Sequence, residues 1–96
     1  MPITRRLFIV NEKGMHARAS ARFVETVEAH DASAEVTRDG QTVSGDSIMG
    51  LLMLAAAKGC SIDVTCRGRE ARRLMESLAG LVASGFGEGV CKDTTC

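Results

Sequence analysis

A lone histidine stands between a glycine and a run of small residues in the stretch Asn11 to Ser20, NEKGMHARAS. Gly14 suits a turn, and the residues from Ala17 onward suit the first turn of a helix, so His16 is expected at the helix N-cap or beside it. The backbone N–H groups of a first helical turn lack intrahelical partners and can hold an anion next to the ring. The positive end of the helix dipole also opposes a positive charge on the imidazole. A neutral ring nitrogen beside an anion site is suited to accept a phosphoryl group. Arg18 adds a permanently charged, planar donor fork that matches phosphoryl oxygens. A surface cap with a solvated arginine would give the same spacing, so the spacing by itself leaves both accounts open.

Two further features could carry function. Ser47 in GDSIMG is a hydroxyl at an expected helix start, where it serves as a cap and where an added phosphate would meet exposed N–H groups. The run after it, with Ile48, Met49, Leu51, Leu52, Met53 and Leu54, holds more apolar side chains than one face of a short helix can bury. Some of them must therefore be exposed, and exposed Met and Leu mark a docking surface. A metal site built from His16, Cys60 and Cys66 is disfavoured, because the sequence has neither a Cys-x-x-Cys nor a His-x-x-x-His pair. His30 reads as a helix C-terminal residue that complements the dipole, and Cys91 and Cys96 follow no pattern.

These residues need elements to position them. Thr4 to Val10 is rich in branched and aromatic residues and ends in a turn cluster, so it reads as a strand. Ala19, Phe23, Val24 and Val27 recur at helical spacing, which predicts an amphipathic helix from Ala17 to about His30. AEVTRDGQTVS is two alternating runs joined by Asp39-Gly40, a β-hairpin signal. A short second helix is expected after Asp46 or Ser47, with Lys58-Gly59 as its stop. In CSIDVTCRG, Cys60, Ile62, Val64 and Cys66 alternate with polar residues, so both cysteines are expected in the core of a fourth strand. A last helix is expected from Arg69 to Ala83, with Leu74, Leu78, Leu81 and Val82 on its apolar stripe. The order β-α-β-β-α-β-α implies an α+β, open-faced β-sandwich: a four-stranded antiparallel sheet, wet on one face and covered by three helices on the other.

Composition bounds the class of function. The 96 residues suit one domain, taken as residues 1–90, with 91–96 a polar tail. Lys+Arg and Asp+Glu are both 12 and only three aromatic residues are present, so nucleic acid is not an expected partner. The longest apolar run, Ile48 to Ala57, is too short to cross a bilayer, and MPITRR lacks the apolar core of a signal peptide. A cytoplasmic protein with free thiols is the expectation.

The motifs together resemble a known family. GMHARAS is similar to the active-site signature of HPr, the histidine-containing phosphocarrier of the bacterial phosphotransferase system, and GDSIMGLLML and AAAKGCSIDVTCRG resemble that family's second and third signatures. The resemblance runs in order from about Ile3 to Val90. It implies a phosphocarrier rather than an enzyme. His16 would accept a phosphoryl group on Nδ1 from phosphorylated enzyme I, whose donor is phosphoenolpyruvate, and pass it to a histidine of an enzyme IIA. Arg18, with the backbone N–H groups of Ala17 and Arg18, would cradle the phosphate. Ser47 matches the serine modified by HPr kinase/phosphorylase, and Ile48, Met49 and Leu52 match the family's docking patch. No cofactor or metal in this chain is implied, and a monomer is expected. Where the family commonly has proline after the arginine, this chain has Ala19, which suits a first helical turn as well. Both the sugar-transport branch and the nitrogen-related regulatory branch fit the sequence. Two other classes of function compete: a regulatory binding module acting through Ser47 and its patch with His16 silent, and a thiol- or metal-handling protein using the cysteines.

Overall fold

The alternation read in the sequence becomes a sheet. The computed structural model describes residues 2–87 and contains β1 (Ile3–Phe8), α1 (Ala17–Glu28), β2 (Ser33–Arg38), β3 (Gln41–Ser44), α2 (Ile48–Met53), β4 (Ser61–Arg67) and α3 (Ala71–Ala83). All pairings are antiparallel and the strands lie in the order β1-β4-β2-β3. The first and last of these strands are thus neighbours, with Ile3 opposite Cys66 and Phe8 opposite Ser61. The expected α+β open-faced sandwich, with three helices over one face of the sheet, is what forms.

The two faces of the sheet follow from side-chain alternation. Leu7, Val36, Ile62, Val64 and Cys66 point under the helices and are buried. They meet Phe23, Leu51, Leu74 and Leu78 from the three helices in one core. The opposite face is polar and cross-strand paired. Thr4 and Thr65 share a hydroxyl hydrogen bond of 2.9 Å, and Thr37 and Thr42 one of 2.8 Å. Arg6 donates to Asp63 at 3.0 Å, and Arg67 lies 3.6 Å from Glu35. Phe8 stands exposed among these groups.

The hairpin forms as its sequence requires. Asp39 and Gly40 both take positive φ, 52° and 79°, as a two-residue turn between twisted strands demands. Helix α1 ends against His30, whose Nδ1 lies 2.8 Å from the Thr26 carbonyl and whose Nε2 lies 3.3 Å from Ser77 Oγ on α3. That agrees with a ring complementing the helix C-terminus and adds a tie to α3. After α3 the chain turns through Phe86, which is fully buried, and its carbonyl accepts a 2.8 Å hydrogen bond from Arg22 of α1.

Three boundaries differ from expectation. Strand β1 stops at Phe8, before Val10, because Ile9 leaves the regular ladder to exchange bonds with Gly59 and Cys60. Helix α3 starts at Ala71, two residues after Arg69. Glu70 instead uses its carboxylate to accept the Asp31 N–H at 2.7 Å, a bond that holds this carboxyl below its ordinary range. Helix α2 stops at Met53, well before Lys58-Gly59, and Ala55 takes a left-handed φ of 53°. The alanines that favour helix are held in a loop by tertiary bonds. Cys60 is a further correction. It lies outside β4 and is half-buried, while Cys66 is fully buried in the core as expected. The tail 91–96, with Cys91 and Cys96, lies outside the described residues. Among the described residues, no helix is long and apolar enough to cross a membrane.

Burial pushes the Cys66 thiol up from 9.0 to about 11. Between those values the unfolded chain sheds the thiol proton while the folded chain keeps it, so rising pH favours unfolding. Stability is expected to be unaffected by this group below about pH 9 and to decline from there to about pH 11. Urea denaturation across that range is expected to show a shallower decline for Cys66→Ala than for the unmodified chain.

Candidate phosphoryl-accepting site

The loop between β1 and α1 is built around a glycine pressed into a second loop. Gly14 has φ 65°, and a Cβ placed on it would lie 2.5 Å from the Ala56 carbonyl oxygen and 2.8 Å from Ala57 Cα. Only glycine fits both the angle and the space. This closeness lets the Met15 N–H donate to the Ala56 carbonyl at 2.9 Å. Beneath the turn, the buried Asn11 side chain donates from Nδ2 to the Gly14 carbonyl at 2.8 Å, and Ser20 Oγ donates to the Met15 carbonyl at 3.3 Å. Met15 itself is buried. The residues on either side of the histidine are thus fixed by backbone bonds and packing.

His16 is the N-cap of α1, with extended backbone at φ −77° and ψ −177°. Its carbonyl accepts the Ser20 N–H at 2.8 Å, which opens the helical bonding, and its Nδ1 accepts the Arg18 N–H at 3.2 Å. A nitrogen that accepts a hydrogen bond carries its lone pair there, so this bond assigns the ring proton to Nε2. The Nδ1 lone pair points at the amides of the first helical turn, where an anion attached to it would meet donors. The ring is half-buried. Arg18 meets the ring through its backbone amide, and the residue is exposed. Ala17 is exposed as the first helical residue, and Ala19 is fully buried.

Ser47 repeats the device on α2. It is the N-cap, its Oγ accepts the Gly50 N–H at 3.0 Å, and its carbonyl accepts the Leu51 N–H at 3.0 Å. Asp46, the other cap candidate, instead accepts a hydrogen bond from the Ser44 hydroxyl. Leu51 and Leu54 turn into the core, whereas Ile48 is 39%, Met49 69% and Met53 66% exposed. Leu52 is half-buried. The exposed apolar strip therefore includes Met53, which the sequence placed in the surplus apolar run but not in the docking patch, although it stands four residues after Met49 on the same helical face. Helix α2 packs on α1, so both capped helix starts belong to one packed pair.

The cysteine at the end of the α2–β4 loop has polar surroundings. The Cys60 thiol is lowered from its ordinary value by a backbone hydrogen bond from Ala57 and then by Arg38, whose Nη2 donates to the sulfur at 3.3 Å. Neither Asn11 nor Arg38 was marked by its local sequence. Asn11 stood only as the start of a turn cluster, and the role of Arg38 depends on residues far along the chain. Among the described residues, no cluster of three or more His, Cys, Asp or Glu side chains is placed to hold a metal.

The sequence model of the PTS-HPr family, described as the PTS HPr component phosphorylation site, matches residues 3–84. The phosphocarrier protein HPr of Neisseria meningitidis serogroup B is 43% identical over 81 residues, covering 84% of this chain and 91% of that protein. The phosphocarrier protein HPr of Cupriavidus necator is 36% identical over 87 residues, covering 91% of this chain and 98% of its own length. Among solved structures, the phosphocarrier protein HPr of Bacillus anthracis superposes with a TM-score of 0.81 at 33% identity, over 84% of this chain and 96% of that one.

The packing of Gly14 yields a direct test. Gly14→Ala should cost about 2–5 kcal/mol in urea denaturation, combining a left-handed alanine with overpacking against the second loop. The His16 ring resonances should shift at the same time, because the cap geometry depends on the displaced turn.

Proposed function

This chain belongs to the HPr family of phosphotransferase-system phosphocarriers, and we propose that within it His16 is the transient phosphoryl acceptor. The observation that carries the reading is the Nδ1 of His16 held at the start of α1, accepting the Arg18 amide at 3.2 Å. In the proposed step, Nδ1 attacks the phosphorus of a phosphohistidine on enzyme I, itself charged from phosphoenolpyruvate. The new N–P bond forms as the donor's N–P bond breaks, and the proton on Nε2 stays in place. The reverse polarity, with an enzyme IIA histidine as nucleophile, discharges the carrier.

Such a transfer needs positioning and charge stabilisation more than covalent assistance. The first-turn amides of Ala17 and Arg18 would receive phosphoryl oxygens, and the guanidinium of the exposed Arg18 would swing onto them. No group in this chain has to gain or lose a proton for the exchange. Both partners would dock on the exposed strip of α2, with Ile48, Met49 and Leu52, extended by Met53. A small apolar patch of this kind suits short-lived complexes.

Ser47 is proposed as the regulatory site, modified by HPr kinase/phosphorylase. A phosphate there would add about −1.5 to −2 charge next to Ile48 and Met49 and so disfavour docking, while the amides of α2 stabilise it in place. The unit acting in this way is residues 1–90, as a cytoplasmic monomer.

Incubation with enzyme I, magnesium and phosphoenolpyruvate should add one acid-labile phosphoryl group by intact mass, and His16→Ala should add none. An acid-labile adduct on His16→Ala would place the acceptor elsewhere. For Ser47, the kinase with ATP should give an acid-stable adduct that Ser47→Ala lacks, and Ser47→Asp should slow uptake from enzyme I about tenfold. Ser47→Ala should also lose about 1 kcal/mol of stability through the missing cap.

A further inference from the structure

We propose that Arg38 is a positioning residue for the His16 loop, acting as a guanidinium strut that closes the α2–β4 loop on which the His16 loop rests. The inference rests on the reading of His16 as the phosphoryl acceptor.

Arg38 is the last residue of β2, opposite Gln41 in the hairpin, far from His16 in sequence. Its side chain is 26% exposed and runs to both ends of the α2–β4 loop. Nη1 donates to the Leu54 carbonyl at 2.9 Å, and Nη2 donates to Cys60 Sγ at 3.3 Å. Leu54 is the C-cap of α2, where carbonyls lack intrahelical partners and a cation is favoured. Asp39, 3.4 Å from Nη1, is 82% exposed, so water screens its competing pull.

The residues enclosed by this strut are the ones that hold the His16 loop. Ala55 sits in the left-handed region at φ 53°, a conformation alanine keeps only when its surroundings impose it. Next to it, Ala56 offers the carbonyl that accepts the Met15 N–H, and Ala56 and Ala57 form the wall against Gly14. At the far end, Gly59 donates to the Ile9 carbonyl and Lys58 pairs with Glu12 at 3.0 Å. Without a fixed span from Leu54 to Cys60, the alanine run has two outlets: Ala55 can relax to a right-handed φ, or α2 can extend. Either change withdraws the Ala56 carbonyl from Met15. A guanidinium suits this work because it offers a rigid donor fork and never loses its charge.

The test is Arg38→Met in the full chain, which keeps the apolar stem and removes both donors. Amide hydrogen exchange should show the Met15 N–H exchanging about tenfold faster, beyond any change common to the core amides of Val64 and Leu78. Phosphoryl uptake from phosphorylated enzyme I should fall in kcat by about three- to tenfold with little change in KM, since Arg38 bonds to the C-cap of α2 and to Cys60 and to none of the docking side chains Ile48, Met49 and Leu52. Arg38→Lys, able to reach one acceptor but not span both, should lie between. If Met15 exchange in Arg38→Met follows Val64 and Leu78 alone, or if uptake keeps its kcat, the positioning role is wrong. An unmodified protein that takes up no phosphoryl group would instead overturn the reading of His16, while the exchange measurement would still decide whether Arg38 holds the loop.

Discussion

Gly14 lies against Ala56 and Ala57 because it has no side chain, and that contact lets Met15 bond to the Ala56 carbonyl. Most of what is particular to the site depends on this meeting of two loops. It joins the segment after the first strand to the segment before the last, and it fixes the backbone entering α1 so that a histidine can cap the helix. The bonds from Asn11 and Ser20 brace the turn from below, while the surface above stays open. The site is a local solution to capping a helix, made rigid by contacts from distant parts of the chain.

The same physics appears twice with different chemistry. His16 and Ser47 each sit in extended backbone ahead of a helix and accept an amide hydrogen bond from its first turn. An imidazole nitrogen forms a high-energy N–P bond that is readily passed on, whereas a serine oxygen forms a stable ester. Under the proposed function, one packed pair of helices would present a transient and a persistent attachment point, with an apolar strip next to the second. The open polar face of the sheet, with its threonine pairs and ion pairs, lies on the other side from the helices.

Local patterns in the sequence were readable where the structure is determined locally. Asp39-Gly40 fixed the hairpin, since both residues adopt the positive φ that such a turn needs, and the alternation of Ile62, Val64 and Cys66 placed the core side of β4. Of the expected stripe, Leu74, Leu78 and Val82 face inward and Leu81 is half-buried at its edge, and His16 took the cap position its glycine and alanine neighbours implied. What was not legible depends on partners remote in sequence. The alanines after Met53 favour helix, but the bonds from Met15 and Arg38 hold them in a loop. Cys60 continues the alternation of β4 by type, yet Ile9 and Arg38 draw it out of the strand. Arg38 looked like an ordinary strand-end residue because its acceptors arrive only when the loop folds over it.

The order of strands bears on how the molecule comes to exist during synthesis. Strand β1 is made before the other described strands, yet its neighbour among them is β4, residues Ser61–Arg67. The loop carrying His16 likewise needs Ala56, Gly59 and Cys60 before its bonds can close. A growing chain can complete the β2–β3 hairpin early, since its contacts are local, but contacts of long sequence separation must wait. The histidine therefore leaves the ribosome well before the segments that frame it, so a truncated chain lacking β4 would display the histidine without the frame that directs its ring.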